Sequence, residues 1–126
     1  LEQIDVLAKY LKDILIEDCI VILRGDLASG KTTLVKNYLK ALGLDDLVTS
    51  PTFSLQAIYS NDIFHYDVYN KTLGEFVSLG MLEEFEKQGV HFVEWGDEKL
   101  EEILNDYGYK VILIEIEKKL RKLKNQ

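Results

Sequence analysis

Cys19-Ile20-Val21-Ile22-Leu23-Arg24-Gly25-Asp26-Leu27-Ala28-Ser29-Gly30-Lys31-Thr32-Thr33 decides how the rest of the chain is read. Its first five residues are apolar and mostly β-branched. The run is too short for a helix and suits a strand buried on both faces. Gly25 to Thr32 then fits the pattern G-x-x-x-x-G-K-[ST]. Such a loop leaves a buried strand, curls so that successive backbone N–H groups point inward, and enters a helix. The N–H groups and the helix dipole hold phosphates. Glycine is required where the backbone takes positive φ or comes close to the anion. With average composition, four fixed positions recur by accident in roughly four chains per thousand of this length. The expectation is a nucleotide-phosphate site formed by Asp26, Leu27, Ala28, Ser29, Gly30, Lys31 and Thr32. Lys31 is expected to reach the β- and γ-phosphates of ATP, and the Thr32 hydroxyl to bind Mg²⁺.

Outward from this segment the pattern alternates. Ile4, Leu7, Ala8, Leu11, Ile14 and Leu15 recur at helical spacing, so an amphipathic helix precedes the strand. A helix is expected from about Lys31 to Leu42, closed by Gly43 in a left-handed cap. Residues 44–50 read as loop, punctuated by Pro51, the only proline. Two strand-like runs, 53–59 and 63–69, flank Ser60-Asn61-Asp62 and predict an antiparallel hairpin. Leu73, Phe76, Val77, Met81, Leu82 and Phe85 predict a second long helix with a break near Gly80, ended by Gly89. A strand over 90–95, an acidic helix over about 97–105 and a strand over 109–116 complete the chain. The expected fold class is α/β: one domain over 1–126, a P-loop NTPase-like mixed β-sheet with helices on both faces.

A phosphate loop needs a second anionic group near Mg²⁺, usually at the end of a neighbouring strand. Asp67, among the aromatics of His65-Tyr66-Asp67-Val68-Tyr69, is one candidate. Glu94, which ends the apolar run beginning at Val90, is the other. Each is a candidate to bind the ion or to orient the attacking water; the alternatives are a paired strand-end carboxylate and an edge-facing surface residue. His65 and His91 stand one to a strand and make no ligand cluster, so they read as packed or hydrogen-bonded residues.

Composition bounds the remainder. With 126 residues, 47% hydrophobic and 29% charged, the chain suits one soluble globular domain. The net charge of −7 excludes binding of polyanions through a general basic surface. The bases Lys118, Lys119, Arg121, Lys122 and Lys124 nevertheless crowd the end of the sequence, either as a solvated terminus or as a contact for tRNA. The single Cys19 excludes an internal disulfide and reads as a buried thiol. With no run of eighteen apolar residues and no signal peptide, a cytoplasmic protein without a membrane span is expected.

Taken together, GDLASGKTT, VTSPTF, HYDVY, GMLEEF and VHFVEW resemble, in order and spacing, the TsaE (YjeE) ATPases of bacteria. The phosphate loop is shared by many unrelated proteins. The combination of Ser50-Pro51-Thr52-Phe53, His65-x-Asp67-x-Tyr69 and Glu94-Trp95 is specific to this family. The resemblance implies a part in making threonylcarbamoyladenosine (t6A) beside the anticodon of certain tRNAs, with TsaD and TsaB as partners. Lys31 matches the family's loop lysine, and Thr32 and Thr33 its paired threonines, the first a Mg²⁺ ligand. Thr52 matches a switch-like position near the γ-phosphate, and Asp67 an aspartate near Mg²⁺. Glu94 matches the Walker B-like glutamate, and Trp95 the tryptophan beside the nucleotide. Two departures stand out: Ala28-Ser29 replaces the usual Gly-Ala, and Tyr69-Asn70 the usual Tyr-Arg.

The implied reaction is attack of water on the γ-phosphate of ATP, giving ADP and phosphate, slow for the chain alone and faster within the TsaB–TsaD complex. The alternative is a nucleotide-dependent interaction module whose ATP state gates complex assembly, with hydrolysis incidental. A small-molecule kinase is disfavoured: such enzymes clamp the transferred phosphate with several arginines, and Arg24 and Arg121 are the only two here.

Overall fold

The computed structural model describes residues 2–26 and 28–117. Leu27 and the basic segment 118–124 lie outside the described residues. The opening helix is α1 (Glu2–Ile14), followed by β1 (Cys19–Arg24) and α2 (Ala28–Ala41). The hairpin is β2 (Gln56–Tyr59) and β3 (Ile63–Asp67). Two short helices, α3 (Leu73–Ser78) and α4 (Met81–Glu84), precede β4 (Val90–Glu94), α5 (Glu98–Asp106) and β5 (Val111–Glu115).

The five strands form one mixed sheet in the order β2-β3-β4-β1-β5. β1 lies parallel to β4 and β5, β3 lies parallel to β4, and β2 joins the β3 edge antiparallel. Successive side chains of a strand point to opposite faces, so each central strand feeds two cores. Cys19, Val21 and Leu23 of β1 pack with Ala8 and Leu11 of α1 and Leu34, Val35 and Leu39 of α2. Ile20 and Ile22 face the other way, against Phe76 of α3, Phe85, and Leu100 and Leu104 of α5. Helices therefore cover both faces, as the alternation predicts. Cys19 is a buried free thiol, and burial pushes its pKa up.

Three boundaries differ from the sequence expectation. α2 begins at Ala28 rather than Lys31. Alanine has the highest helix propensity, and a helical residue has negative φ, so alanine in place of glycine meets no backbone obstacle at position 28. The hairpin strands are shorter than 53–59 and 63–69, because the Leu55 N–H turns back to the Pro51 carbonyl (2.8 Å) and Leu55 takes φ 69°. Phe53 accordingly sits on a turn and is fully exposed. The long helix breaks as expected where Gly80 takes φ 77°, but its second part ends at Glu84 and not at Gly89. Thr72 caps α3 reciprocally: its hydroxyl accepts from the Glu75 N–H (3.1 Å), and its own N–H donates to the Glu75 carboxylate (2.8 Å). Gly43 (φ 82°) follows the end of α2 as expected.

Gly25, like Gly89, is a glycine the fold cannot replace. It has φ 119°, and a Cβ built there would lie 2.0 Å from the carbonyl oxygen of Ile116, the residue whose N–H ties back to Arg24 (2.7 Å). Gly25→Ala is expected to lower the unfolding free energy by about 3 kcal/mol in urea titration, through strain and overlap together.

His91 is buried between β3 and the α4–β4 turn. The Lys87 carbonyl offers only an acceptor, so His91 Nε2–H donates to it (2.8 Å) and Nδ1 accepts from the Tyr66 hydroxyl (2.7 Å). Burial, the largest influence, holds the His91 pKa below its ordinary value of 6.5. The neutral ring therefore stabilises the fold above about pH 6.5, and that stabilisation is lost as pH falls through the depressed folded value. Urea unfolding between pH 7 and pH 5 is expected to show falling stability. His91→Gln, which keeps one donor and one acceptor and does not titrate, is expected to flatten that slope.

Candidate functional site

Parallel pairing brings the carboxyl ends of three strands level: Leu23 lies beside Glu94, and Glu94 beside Asp67. Ligands of open α/β sheets bind at this edge. An open cleft of about 450 Å³ lies there, lined by Thr32, Ser50, Thr52, Asp67, Tyr69, Glu94 and Trp95.

Glu94 is almost fully buried at the end of β4. Its Oε2 accepts from the Thr32 hydroxyl (2.8 Å) and lies 2.6 Å from His65 Nε2. Because Thr32 gives its hydrogen to Glu94, its oxygen lone pairs remain for a cation. Asp67 is placed differently. Its Oδ2 accepts from the Ser50 hydroxyl (2.6 Å) and the Thr52 hydroxyl (3.2 Å), and its Oδ1 from the Tyr69 N–H (2.9 Å). Asp67 thus ties the 50–52 turn to β3, whereas Glu94 meets the loop threonine.

Lys31, in the first turn of α2, is wholly buried. Its Nζ donates to the Gly25 carbonyl and sits 3.9 Å from the centroid of the Trp95 ring. Burial lowers the Lys31 pKa most strongly, and the carboxylates of Glu94, Asp26 and Asp67 oppose that shift. Trp95 has φ 71°, and its N–H continues the ladder to the Leu23 carbonyl (3.0 Å). Its indole packs against Tyr69 with ring centroids 4.8 Å apart. Gly30 and Thr33 follow on the same turns of α2, and Asp26 is exposed ahead of it.

The hard oxygens of Thr32, Glu94 and Asp67 suit a magnesium ion, which takes few protein ligands and fills its shell with water and phosphate oxygens. Among the described residues, no group of three or more His, Cys, Asp or Glu is arranged to hold a metal alone. The residues present therefore fit Mg²⁺ brought in with a phosphate ligand. The N–H groups of the first turn of α2, which point away from any acceptor within the helix, suit that phosphate.

The sequence reading left four contributors unassigned. Ser50 was visible within Ser-Pro-Thr, and Tyr69 within His-x-Asp-x-Tyr. His65 shares a strand face with Asp67 because the two stand two positions apart on β3, which was the available signal. Arg24 was not recognisable: its Nε donates to the Gly96 carbonyl (3.0 Å) and its guanidinium pairs with Glu101 (3.0 Å), both remote in sequence.

The family described as "Threonylcarbamoyl adenosine biosynthesis protein TsaE" matches residues 1–125. A protein of Treponema pallidum called "tRNA threonylcarbamoyladenosine biosynthesis protein TsaE" is 39% identical over 90 residues, covering 69% of this chain and 67% of its own length. A Bacillus subtilis protein of the same description is 40% identical over 79 residues, 60% of this chain, and the match spans about half (49%) of that relative. The crystal structure of Bacillus subtilis YdiB superposes with a TM-score of 0.65 at 27% identity, covering 94% of this chain and 72% of that one.

Removing the Asp67 carboxylate is expected to release the 50–55 turn alone. Asp67→Ala should speed amide hydrogen exchange there by about 10–100-fold, the equivalent of its charged hydrogen bonds. Exchange in β1 is expected to stay unchanged.

Proposed function

The chain belongs to the TsaE family of tRNA threonylcarbamoyladenosine biosynthesis proteins, and on that premise we propose that it binds ATP with Mg²⁺ and hydrolyses it to support t6A formation with TsaB and TsaD in the cytoplasm. The observation that carries this reading is the convergence of Thr32, Glu94 and Asp67 on one cleft at the ends of β1, β4 and β3, with the buried Lys31 ammonium against the Trp95 ring that lines it. Among the described residues, no helix is long and apolar enough to cross a membrane.

Each residue has a part in this reading. The N–H groups at the start of α2 bind the phosphates, and Lys31 leaves the Gly25 carbonyl to pair with the β- and γ-phosphate oxygens. Thr32, Glu94 and Asp67 would hold the magnesium, directly or through water. When bound, the ion neutralises charge on the transferring group. Glu94 orients the attacking water, and Thr52, tied to Asp67, senses the γ-phosphate. Trp95 closes the cleft beside Lys31.

Arg24, the one arginine among the described residues, is committed to Gly96 and Glu101. In this reading a partner supplies any guanidinium that the transition state needs. ATP hydrolysis by the chain alone is expected to be slow, and TsaB with TsaD to accelerate it. Equal rates with and without them would remove the partner's contribution. Lys31→Ala is expected to bring hydrolysis to background, and with it the change in Trp95 fluorescence on adding ATP.

Phe53 favours a second reading. This fully exposed aromatic adjoins Thr52 on the turn tied to Asp67, where a nucleotide-dependent movement would alter a partner contact. Under that reading the ATP state gates assembly and hydrolysis is incidental. A Glu94→Gln protein that binds ATP without cleaving it, yet still sustains repeated rounds of tRNA modification, would establish gating in place of hydrolysis.

A further inference from the structure

We propose that Tyr59 and His65 are positioning residues for the reaction, forming with Glu94 a buried hydrogen-bonded relay that fixes the carboxylate facing the cleft. The inference rests on the hydrolase reading above and assigns its geometry to residues outside the phosphate loop.

The relay runs across three adjacent strands. Tyr59 on β2 lies 2.8 Å from His65 Nδ1 on β3, and His65 Nε2 lies 2.6 Å from Glu94 Oε2 on β4. His65 is fully buried and Glu94 nearly so. The direction of each bond follows from the end of the chain. A carboxylate offers only acceptors, so His65 Nε2–H donates to Glu94. The relay assigns His65 the Nε2–H tautomer, in which Nδ1 accepts and Tyr59 donates to it. Burial, with the charges of Glu94 and Asp46, raises the Tyr59 pKa to about 12, so the phenol keeps its hydrogen.

Two hydrogens thus converge on one oxygen of Glu94, from Thr32 and from His65. Thr32 alone would be a poor anchor, because its own oxygen is the one offered to the metal. His65 supplies an anchor that takes no part in metal binding and is shielded from water. Partners that orient a ligating group in this way commonly matter nearly as much as the ligands themselves.

His65→Phe keeps the ring but removes the donor. It is expected to lower kcat for ATP by about 10–100-fold, with KM and the ATP affinity read from Trp95 fluorescence within about threefold of wild type. His65→Gln, whose amide can donate to Glu94 and accept from Tyr59, is expected to recover most of the rate. Tyr59→Phe removes a single hydroxyl, keeps the fold, and is expected to lower kcat by a smaller factor. Without any nucleotide, ¹⁵N NMR of the His65 imidazole is expected to show hydrogen on Nε2 and none on Nδ1, with the Nδ1 resonance moving in Tyr59→Phe. A His65→Phe protein with full kcat, a His65→Gln protein no faster than His65→Phe, or hydrogen on Nδ1 overturns the relay while hydrolysis stands. A wild-type rate no higher than that of Lys31→Ala overturns the hydrolysis reading, and the relay's part in it, together.

Discussion

The parallel register of β3, β4 and β1 is the constraint on which the site depends. Asp67, Glu94 and Leu23 stand side by side only because the three strands run in one direction and end level. A slip of one residue in β4 would turn Glu94 to the opposite face, away from Thr32. The register is enforced by residues with no chemical part. His91 and Val93 face one core and Phe92 the other, so a slip would also exchange side chains between two differently shaped interiors. Apolar packing along the strand thus sets the position of a carboxylate at its end.

That position places charge where water is scarce. Lys31, His65, Asp67 and Glu94 are all buried. Buried charges are costly unless paired and hydrogen-bonded. Here the polar groups satisfy one another. Among the described residues, no buried side-chain nitrogen or oxygen lacks a hydrogen-bond partner. The lowered Lys31 pKa marks a remaining cost, since burial outweighs the nearby carboxylates. The two apolar cores hold the cluster against it, and an arriving phosphate would supply the countercharge that the ammonium lacks.

Much of the fold was legible. The β-branched run of β1, the spacing of α1, the glycine break at Gly80 and the polar hairpin turn each have a local physical cause. Asn61 and Asp62 adopt φ 62° and 56°, a conformation their short polar side chains tolerate. The misplaced boundaries also have local causes. Alanine at 28 has high helix propensity, and α2 begins there rather than at Lys31. The turn from Pro51 to Leu55 removes Phe53 from a run that looks continuous by hydrophobicity alone. His65 is packed and hydrogen-bonded, as expected of a single histidine on a strand, but its partner Glu94 lies 29 residues along the chain, beyond the reach of local pattern.

The amino-acid sequence by itself determined the elements, the two-faced burial of the strands and the glycine-containing loop, because these follow from periodicity and backbone preference within a few residues. It left open which carboxylate meets Thr32. The tertiary structure decided that Glu94 does, across 62 residues, that His65 reaches it across 29, and that Arg24 is drawn to Glu101 across 77. Hydrophobic patterning shows that a strand is buried but carries no record of which strand lies beside it. Strand order arises when all the apolar faces are covered at once, and only then do these distant groups come within hydrogen-bond reach.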